Sequence, residues 1–495
     1  MKHSKLILPI FCILLFSSCQ SDPEISFESS STEEFRPLYH FTPESGWMND
    51  PNGLIYLDGE YHLFYQHYPD STVWGPMHWG HAVSSDLVNW ESLPIALYPD
   101  SLGYIFSGSA VYDAENSSGL GTSDNPPMVA IFTYHNAEEA NTSSDTFQNQ
   151  AIAFSLDKGR TWDTYEGNPV LPNPGIRDFR DPKVSQITNA DGTKSWIMTL
   201  AVLDHINFYS SPDLKSWTLL SEFGKTIGAH GGVWECPDLL PFKTPSGEDK
   251  WVLLVSINPG GPQNGSATQY FIGDFENGKF TPDDTMIRWL DYGPDNYAGV
   301  TWSNLPSDQN RTLFIGWMSN WLYANVVPTQ AWRSAMTIPR ELSLFDIDGT
   351  LLLKSAPAKE MEKLRAEEFK VNTETSTLPS EAVEITAGVS DNSFLITFSN
   401  ELGEKLLISK ENGLVSIDRR NAGKSDFNPD FAAMHSAPMS WEAKDIRIFI
   451  DASSIELFIN DGELAMTSIL FPTSPWKTVD LSENIKSLKL YNLKK

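Results

Sequence analysis

The chain is predicted to be all-β, with a propeller followed by a β-sandwich, and three observations predict it. From Tyr39 to about Leu353, short β-like runs alternate with Gly, Pro, Asn and Asp turns, and helical periodicity is rare. Within that region a unit recurs. Ser84-Ser85-Asp86-Leu87-Val88-Asn89-Trp90 returns as Ser211-Pro212-Asp213-Leu214-Lys215-Ser216-Trp217, with a looser copy at Ser155-Leu156-Asp157-Lys158-Gly159-Arg160-Thr161-Trp162. Each copy follows an apolar strand, and the copies lie roughly a blade's length apart, which favours a propeller over a sandwich or closed barrel. Coincidence among Ser-Asp-Trp turns explains the three copies less well, because all of them combine strand, turn and Trp. Beyond residue 370, alternating strands return, among them Ser393–Phe398, Asp445–Ile450 and Ser454–Ile459, and these predict a β-sandwich.

Composition narrows the function. The 495 residues hold 64 Asp and Glu against 35 Lys and Arg, a formal net charge of -29. Nucleic acid is excluded as a partner, because phosphates require a basic surface. A neutral substrate fits, although a solvated acidic surface is enough to explain the charge. Aromatic residues are abundant, with 16 Trp, 16 Tyr and 27 Phe. Some build the core, and sugars also present apolar faces to aromatic rings. The 3 cysteines, Cys12, Cys19 and Cys236, allow neither a disulfide framework nor a cysteine-rich metal site.

In chain order, the first element is a targeting segment. Lys2 and Lys5 precede an apolar run from Leu6 to Phe16 that is too short to span a bilayer as a stable helix. Phe16-Ser17-Ser18-Cys19 resembles a bacterial lipoprotein signal whose cleavage leaves Cys19 lipidated. Phe16 stands where Leu is usual, so ordinary secretion stays open as the alternative. Gln20 to Glu34, rich in Ser, Asp and Glu, predicts a flexible tether.

Next comes Trp47-Met48-Asn49-Asp50-Pro51-Asn52-Gly53, in which Asp50-Pro51-Asn52-Gly53 is expected to be a tight turn at a strand entrance. Leu54–Leu57 and Tyr61–Tyr65 are expected to pair as a hairpin across Asp58-Gly59. Asp181 lies in Asp178-Phe179-Arg180-Asp181-Pro182-Lys183, and Glu235 in Gly232-Val233-Trp234-Glu235-Cys236-Pro237-Asp238-Leu239. Each carboxylate alone reads as an ordinary turn or salt-bridge residue. Together, at strand edges of one propeller, the three can converge on its axis. Ala356-Pro357 followed by helix formers to Arg365 predicts a short linker helix.

Six blocks in the first part of the chain resemble glycoside hydrolase family 32, the invertase, inulinase and levanase group. They are residues 47–53, Phe106-Ser107-Gly108-Ser109-Ala110, Phe179-Arg180-Asp181-Pro182, Trp234-Glu235-Cys236-Pro237-Asp238-Leu239, Gly316-Trp317-Met318-Ser319-Asn320-Trp321 and Pro339-Arg340-Glu341-Leu342. Residues 448–456 match it in the second part, and the blocks fall in the family's order. The resemblance implies a five-bladed propeller and a β-sandwich. It also implies a retaining β-fructofuranosidase acting on levan, inulin and sucrose. Asp50 is then the nucleophile, Glu235 the acid and base, and Asp181 the group that binds ring hydroxyls and stabilises the transition state. Asn49, Gln66, Trp74, Phe106, Ser107, Arg180 and Trp321 match substrate contacts. No cofactor and no metal is implied. On this reading residues 1–19 are a signal peptide, 20–35 a tether, 36–353 the propeller, 354–370 a linker helix and 371–495 the sandwich. The protein is expected to be an exported monomer, anchored to membrane only through Cys19, at the outer membrane or cell surface or else periplasmic or secreted.

The chemistry agrees with those roles. An oxocarbenium-like transition state needs an anion beneath the ring and a proton donor at the leaving oxygen. Glu235 is expected to stay protonated through an apolar setting beside Trp234 and Cys236, and Asp50 to be held ionised by Asn49 and turn amides. Endo cutting and fructosyl transfer share this chemistry and stay open. An inverting propeller glycosidase acting on arabinan or xylan and a non-catalytic glycan-binding lipoprotein are the rivals from other classes. Loops 136–149 and 259–268 are candidates to border the site. Three patterns mislead. His78 and His81 are expected on opposite faces of a strand, which excludes a metal pair. Cys236 lacks an activating His in its local sequence. Residues 49–53 lack the alternating acids of a calcium loop.

Overall fold

Leu57 and Glu60 face each other across Asp58-Gly59, and both turn residues have positive φ, 51° and 94°. The predicted two-residue hairpin is therefore present, built on a turn that twists with its strands. The computed structural model describes residues 33–189, 192–370 and 375–495. The signal peptide, Cys19 and most of the tether lie outside the described residues. Residues 33–35, assigned to the tether, are docked: Phe35 is buried edge-on against Phe471 at 5.2 Å, and Glu34 pairs with Lys424.

The fold is all-β, a propeller followed by a β-sandwich. Among the described residues, five sheets form the first part. The first contains β1 (Gly46–Leu57), β2 (Glu60–Tyr68), β3 (His78–Ser84) and β4 (Glu91–Leu97), and the second β5 (Tyr104–Tyr112), β6 (Met128–His135), β7 (Gln148–Ser155) and β8 (Asp163–Thr164). The third contains β9 (Phe179–Thr188), β10 (Lys194–Val202), β11 (His205–Ser211) and β12 (Thr218–Phe223), and the fourth β13 (Val233–Lys243), β14 (Asp249–Asn258), β15 (Ala267–Glu276) and β16 (Lys279–Pro282). The fifth contains β17 (Tyr297–Thr301) and β18 (Thr312–Met318), followed after β19 (Trp332–Arg333) and β20 (Ala335–Met336) by β21 (Arg340–Ile347) and β22 (Thr350–Pro357). The leading strands β1, β5, β9, β13 and β17 each touch the next, and β17 touches β1. The short β19 leaves its own sheet and pairs in parallel with β1, joining Gly46 to Trp332 and Trp47 to Arg333.

The Ser-Asp-Trp unit joins the third and fourth strands of the first three sheets. In each copy the Ser hydroxyl donates to the Asp carboxylate, that carboxylate accepts backbone N–H groups, and the Trp indole donates back to a carbonyl, at 3.1, 3.1 and 3.2 Å. The repeat in the sequence is thus one turn built three times.

The predicted linker helix is mostly strand. Residues 354–357 belong to β22, only Lys359–Leu364 is a 3-10 helix, and Arg365–Lys370 already pairs with the last strand of the chain. The register of β21 with β22 continues as far as Pro357, so ladder hydrogen bonds override the helix-forming composition. Two six-stranded sheets then enclose the sandwich core around Ile396, Ile408, Ile448 and Leu457. A separate cluster, including Tyr39, Ile338, Met361, Phe449 and Phe458, packs the sandwich against the propeller. Among the described residues no helix is long and apolar enough to cross a membrane.

Candidate active site

All five leading strands carry the same irregularity. Met48 pairs with His67 and Pro51 with Tyr65, so β1 has one residue more than β2 at Asn49-Asp50. β5 bulges at Phe106-Ser107, β9 at Asp181-Pro182, β13 at Cys236-Pro237 and β17 at Ala298-Gly299. A bulge turns one side chain out of the sheet's alternation, and sequence-specific bulges serve to re-aim such residues. Pro suits these positions because a bulge leaves one ladder N–H unused. Asp181 and Cys236 adopt positive φ, 63° and 45°, which is uncommon for residues with a side chain. The expected turn at residues 50–53 is therefore a bulged strand that runs unbroken from Gly46 to Leu57. Within it Gly53, at φ 57°, accommodates the rings of Trp79 and Phe64, which a Cβ would meet at 2.7 and 2.8 Å.

All ten predicted site residues line one cavity of about 430 Å³: Asp50, Asp181, Glu235, Asn49, Gln66, Trp74, Phe106, Ser107, Arg180 and Trp321. Asp50 accepts hydrogen bonds from Ser107 Oγ at 2.7 Å and Asn49 Nδ2 at 2.9 Å. Asn49 is itself fixed by the Trp47 indole at 2.7 Å, and Trp47 lies against Trp321 with ring centroids 5.7 Å apart. Burial and the Glu235 charge raise the Asp50 pKa, and the Ser107 and Asn49 hydrogen bonds oppose the rise. The expected stabilisation of the anion is thus present but outweighed.

Cys236 stands between two carboxylates. Its thiol lies 3.5 Å from Asp50 Oδ2 and 3.6 Å from Asp181 Oδ2, and its backbone N–H donates to Asp181 at 3.1 Å. Burial first, then the surrounding carboxylates, pushes the thiol pKa well up, so it stays a neutral donor. It supports Asp50 and Asp181, where the sequence suggested support for Glu235. Burial raises Asp181 to about 7, with Arg180 opposing and the two neighbouring carboxylates reinforcing the rise.

The surroundings of Glu235 also differ from expectation. The Trp234 indole points away, donating to Ala229 O at 2.8 Å and lying on His230 and Phe271. Glu235 meets polar groups instead. Arg180 donates to its Oε1 through Nη2 at 3.0 Å and Nε at 3.2 Å, and the Tyr297 hydroxyl bonds its Oε2. Successive residues of one strand point to opposite faces of the sheet, so the residue before Glu235 does not share its environment. Tyr297 was missed because a lone Tyr at the start of a buried strand carries no local signal. Lys183 was missed too. Its ammonium lies 3.0 Å from fully buried Asp238 and donates to Thr301 O, tying β9, β13 and β17 together behind the carboxylates.

His135, Phe147, Gln148, Arg177, Asp178 and Asn258 also line the cavity. Loop 136–149 therefore borders it, while loop 259–268 acts through Ser266, whose hydroxyl accepts the Trp321 N–H at 3.1 Å. His81 stacks on Phe64 and bonds His62, whereas His78 bonds Pro76 O.

The family model for the N-terminal domain of glycosyl hydrolases family 32 matches residues 40–355, and the C-terminal model of that family matches residues 350–494. The chain belongs to glycosyl hydrolases family 32. Within family 32 it is 44% identical to a levanase of Bacillus subtilis, an alignment covering 99% of this chain and 74% of that one. It is 38% identical to an extracellular exo-inulinase of Aspergillus awamori, over 91% of this chain and 92% of the relative. The crystal structure of exo-inulinase from Aspergillus awamori superposes with a TM-score of 0.85 at 34% identity, covering 94% of this chain and 100% of that one. A fructofuranosidase of Schwanniomyces occidentalis complexed with fructose superposes at 0.80 and 32% identity, over 95% and 100%.

Proposed function

We propose that this family 32 glycosidase hydrolyses β-fructofuranosidic bonds of levan or inulin, and of sucrose, with retention of configuration. One observation carries the reading: Asp50, Asp181 and Glu235, from three different strands, face a single cavity with Arg180 among them. The levanase and exo-inulinase relatives supply the substrate class, and the exo-inulinases favour cutting from the chain end. Gln66 adds support, because its buried carboxamide nitrogen has no hydrogen-bond partner and lines a cavity suited to sugar hydroxyls.

Asp50 is the nucleophile. Its carboxylate bonds the anomeric carbon as the glycosidic C–O bond breaks, and Glu235 gives its proton to the departing oxygen. Water then attacks the same carbon, returns a proton to Glu235 and releases fructose with Asp50 ionised. Arg180 can only donate, so it occupies Oε1 of Glu235 in both states, and the mobile proton belongs on Oε2, where the Tyr297 hydroxyl accepts as well as donates. Asp181 binds the ring hydroxyls. Asn49, Trp74, Phe106, Ser107 and Trp321 complete the fructosyl pocket.

We also read the five sheets as five blades of one closed propeller spanning residues 36–353, followed by the sandwich from residue 371. The ring of contacts among the leading strands supports that reading. Residues 1–19 export the chain, with Cys19 as lipid anchor of a monomer. Cys19→Ala is expected to release the protein into the medium or periplasm.

Product analysis tests the activity. Free fructose alone from the first minutes indicates exo action, a ladder of oligosaccharides endo action, and new longer saccharides transfer. With methanol as acceptor, a retaining enzyme gives methyl β-fructofuranoside. Asp50→Ala and Glu235→Ala are each expected to lower kcat by a factor on the order of 10³ or more with unfolding unchanged. A folded Asp50→Ala variant with near-parental turnover ends this reading.

A further inference from the structure

We propose that loop 136–149 and Arg177 form the subsite for the departing saccharide, and that Arg177 determines preference for chain substrates; this rests on the β-fructosidase reading. The loop ends at Phe147, which is buried and meets His135 edge-on at 5.3 Å. His135 stacks on Phe106 at 4.2 Å with the ring planes 7° apart, and Phe106 meets Trp74 edge-on at 6.1 Å. One wall of the cavity is therefore a continuous row of rings. Burial, reinforced by Arg180, lowers His135 to about 4, so that row is uncharged near neutral pH.

At the outer end of the row stands Arg177. Its guanidinium lies over the Phe147 ring at 5.3 Å, and its side chain is 54% exposed. Its ion pair with Asp145 is 3.8 Å long, beyond hydrogen-bond reach. The ring thus holds the guanidinium in place while its N–H donors remain available.

Chemistry assigns the outer end of this wall, Phe147 and Arg177, to the departing side, while Phe106 and Trp74 at its inner end belong to the fructosyl pocket. The acid must face the oxygen that leaves, and the nucleophile attacks from the opposite side of the anomeric carbon. Arg180 connects Glu235 to Asp178 at 2.5 Å and to Gln148 at 3.4 Å. Arg177 and Phe147 are the chain neighbours of those two residues, so they border the side of Glu235. On the far side Asp50 is held by Asn49, which the Trp47 indole fixes in turn, and Trp47 lies against Trp321. A neutral saccharide offers C–H faces to the rings and hydroxyls to the guanidinium.

The test uses the full chain, with Arg177→Ala, Arg177→Lys and Phe147→Ala assayed on an inulin-type tetrasaccharide, and with fructose as competitive inhibitor. Losing a charged hydrogen bond is expected to raise the tetrasaccharide KM about tenfold in Arg177→Ala. Arg177→Lys is expected to recover only part of the loss, because an ammonium lacks the planar fork. The inhibition constant of fructose, which fills the inner pocket, is expected to change less than about twofold, well under the tenfold step that 1.4 kcal/mol represents. A tetrasaccharide KM near the parental value overturns the inference, and so does an equal rise in KM and fructose inhibition constant, which marks a distorted pocket. A parental chain that releases no fructose overturns the β-fructosidase reading itself, whereas an active parent with an unaltered Arg177→Ala variant overturns only the subsite.

Discussion

Ser107 tunes Asp50. Its hydroxyl is a direct 2.7 Å donor that favours the anion against burial and the Glu235 charge. The raised Asp50 pKa means that kcat/KM falls as pH drops through a value above the usual carboxylate range of about 4. Removing a donor to the ionised form moves that acid limb further up. Ser107→Ala is expected to shift it by about one to two pH units, since a hydrogen bond to a charge contributes about 1.5–3 kcal/mol. A pH profile of kcat/KM checks this, and an unshifted acid limb removes Ser107 from the account. Residue identities in the cavity were legible because Asp-Pro, Arg-Asp-Pro and Glu-Cys-Pro carried both local and family signal. Their environments were not. Whether Glu235 meets Trp234 or Arg180 and Tyr297 depends on which way each strand faces after a bulge, and no local pattern reports that.

The Ser-Asp-Trp turn was the most legible element, since its geometry is closed within eight residues. In the second copy Asp157 accepts the Thr161 N–H at 2.9 Å and the Ser155 hydroxyl at 2.8 Å. Burial is the largest single influence and opposes ionisation there, and the donors together outweigh it, leaving the pKa below the ordinary value. Asp157→Ala is expected to cost about 1 kcal/mol, as loss of a side-chain cap does. A depressed folded-state pKa contributes stability above the unfolded value of about 4 and loses it as pH falls through the depressed one. The difference in urea midpoint between variant and parent is therefore expected at pH 7 and to vanish in strong acid. The linker helix failed as a reading for the opposite reason: strand pairing with β21 and with the end of the chain, both distant in sequence, decided residues 354–357 and 365–370.

At the scale of the molecule, propeller and sandwich share a buried charge network. Arg340 bonds Asp291 at 2.8 Å and Glu456 at 2.5 Å, and His40 bridges Glu456 at 2.9 Å and Asp451 at 2.8 Å, all without solvent contact or nearly so. Burial opposes the His40 charge, but its two acidic partners prevail and raise its pKa. Its stabilising share is complete below the unfolded value of about 6.5 and fades as pH climbs through the raised one. Arg340→Ala leaves Glu456 and Asp291 buried without their shared cation and is expected to cost about 3–5 kcal/mol in guanidinium unfolding. A loss below about 1 kcal/mol, the scale of an exposed pair, contradicts this. The two-part architecture was legible from strand patterning, but this network was not, because its members come from positions 40, 291, 340, 451 and 456.

The parallel pairing of Gly46 with Trp332 ties the opening strand to one made near the end of the propeller. A chain that emerges from its N-terminus presents Asp50 early, on a strand whose outer neighbour does not yet exist. The strand that carries Asp50 is thus made before the residues that complete its pairing, and a product lacking residues 332 and 333 leaves the Gly46–Trp47 end of that strand without its parallel neighbour.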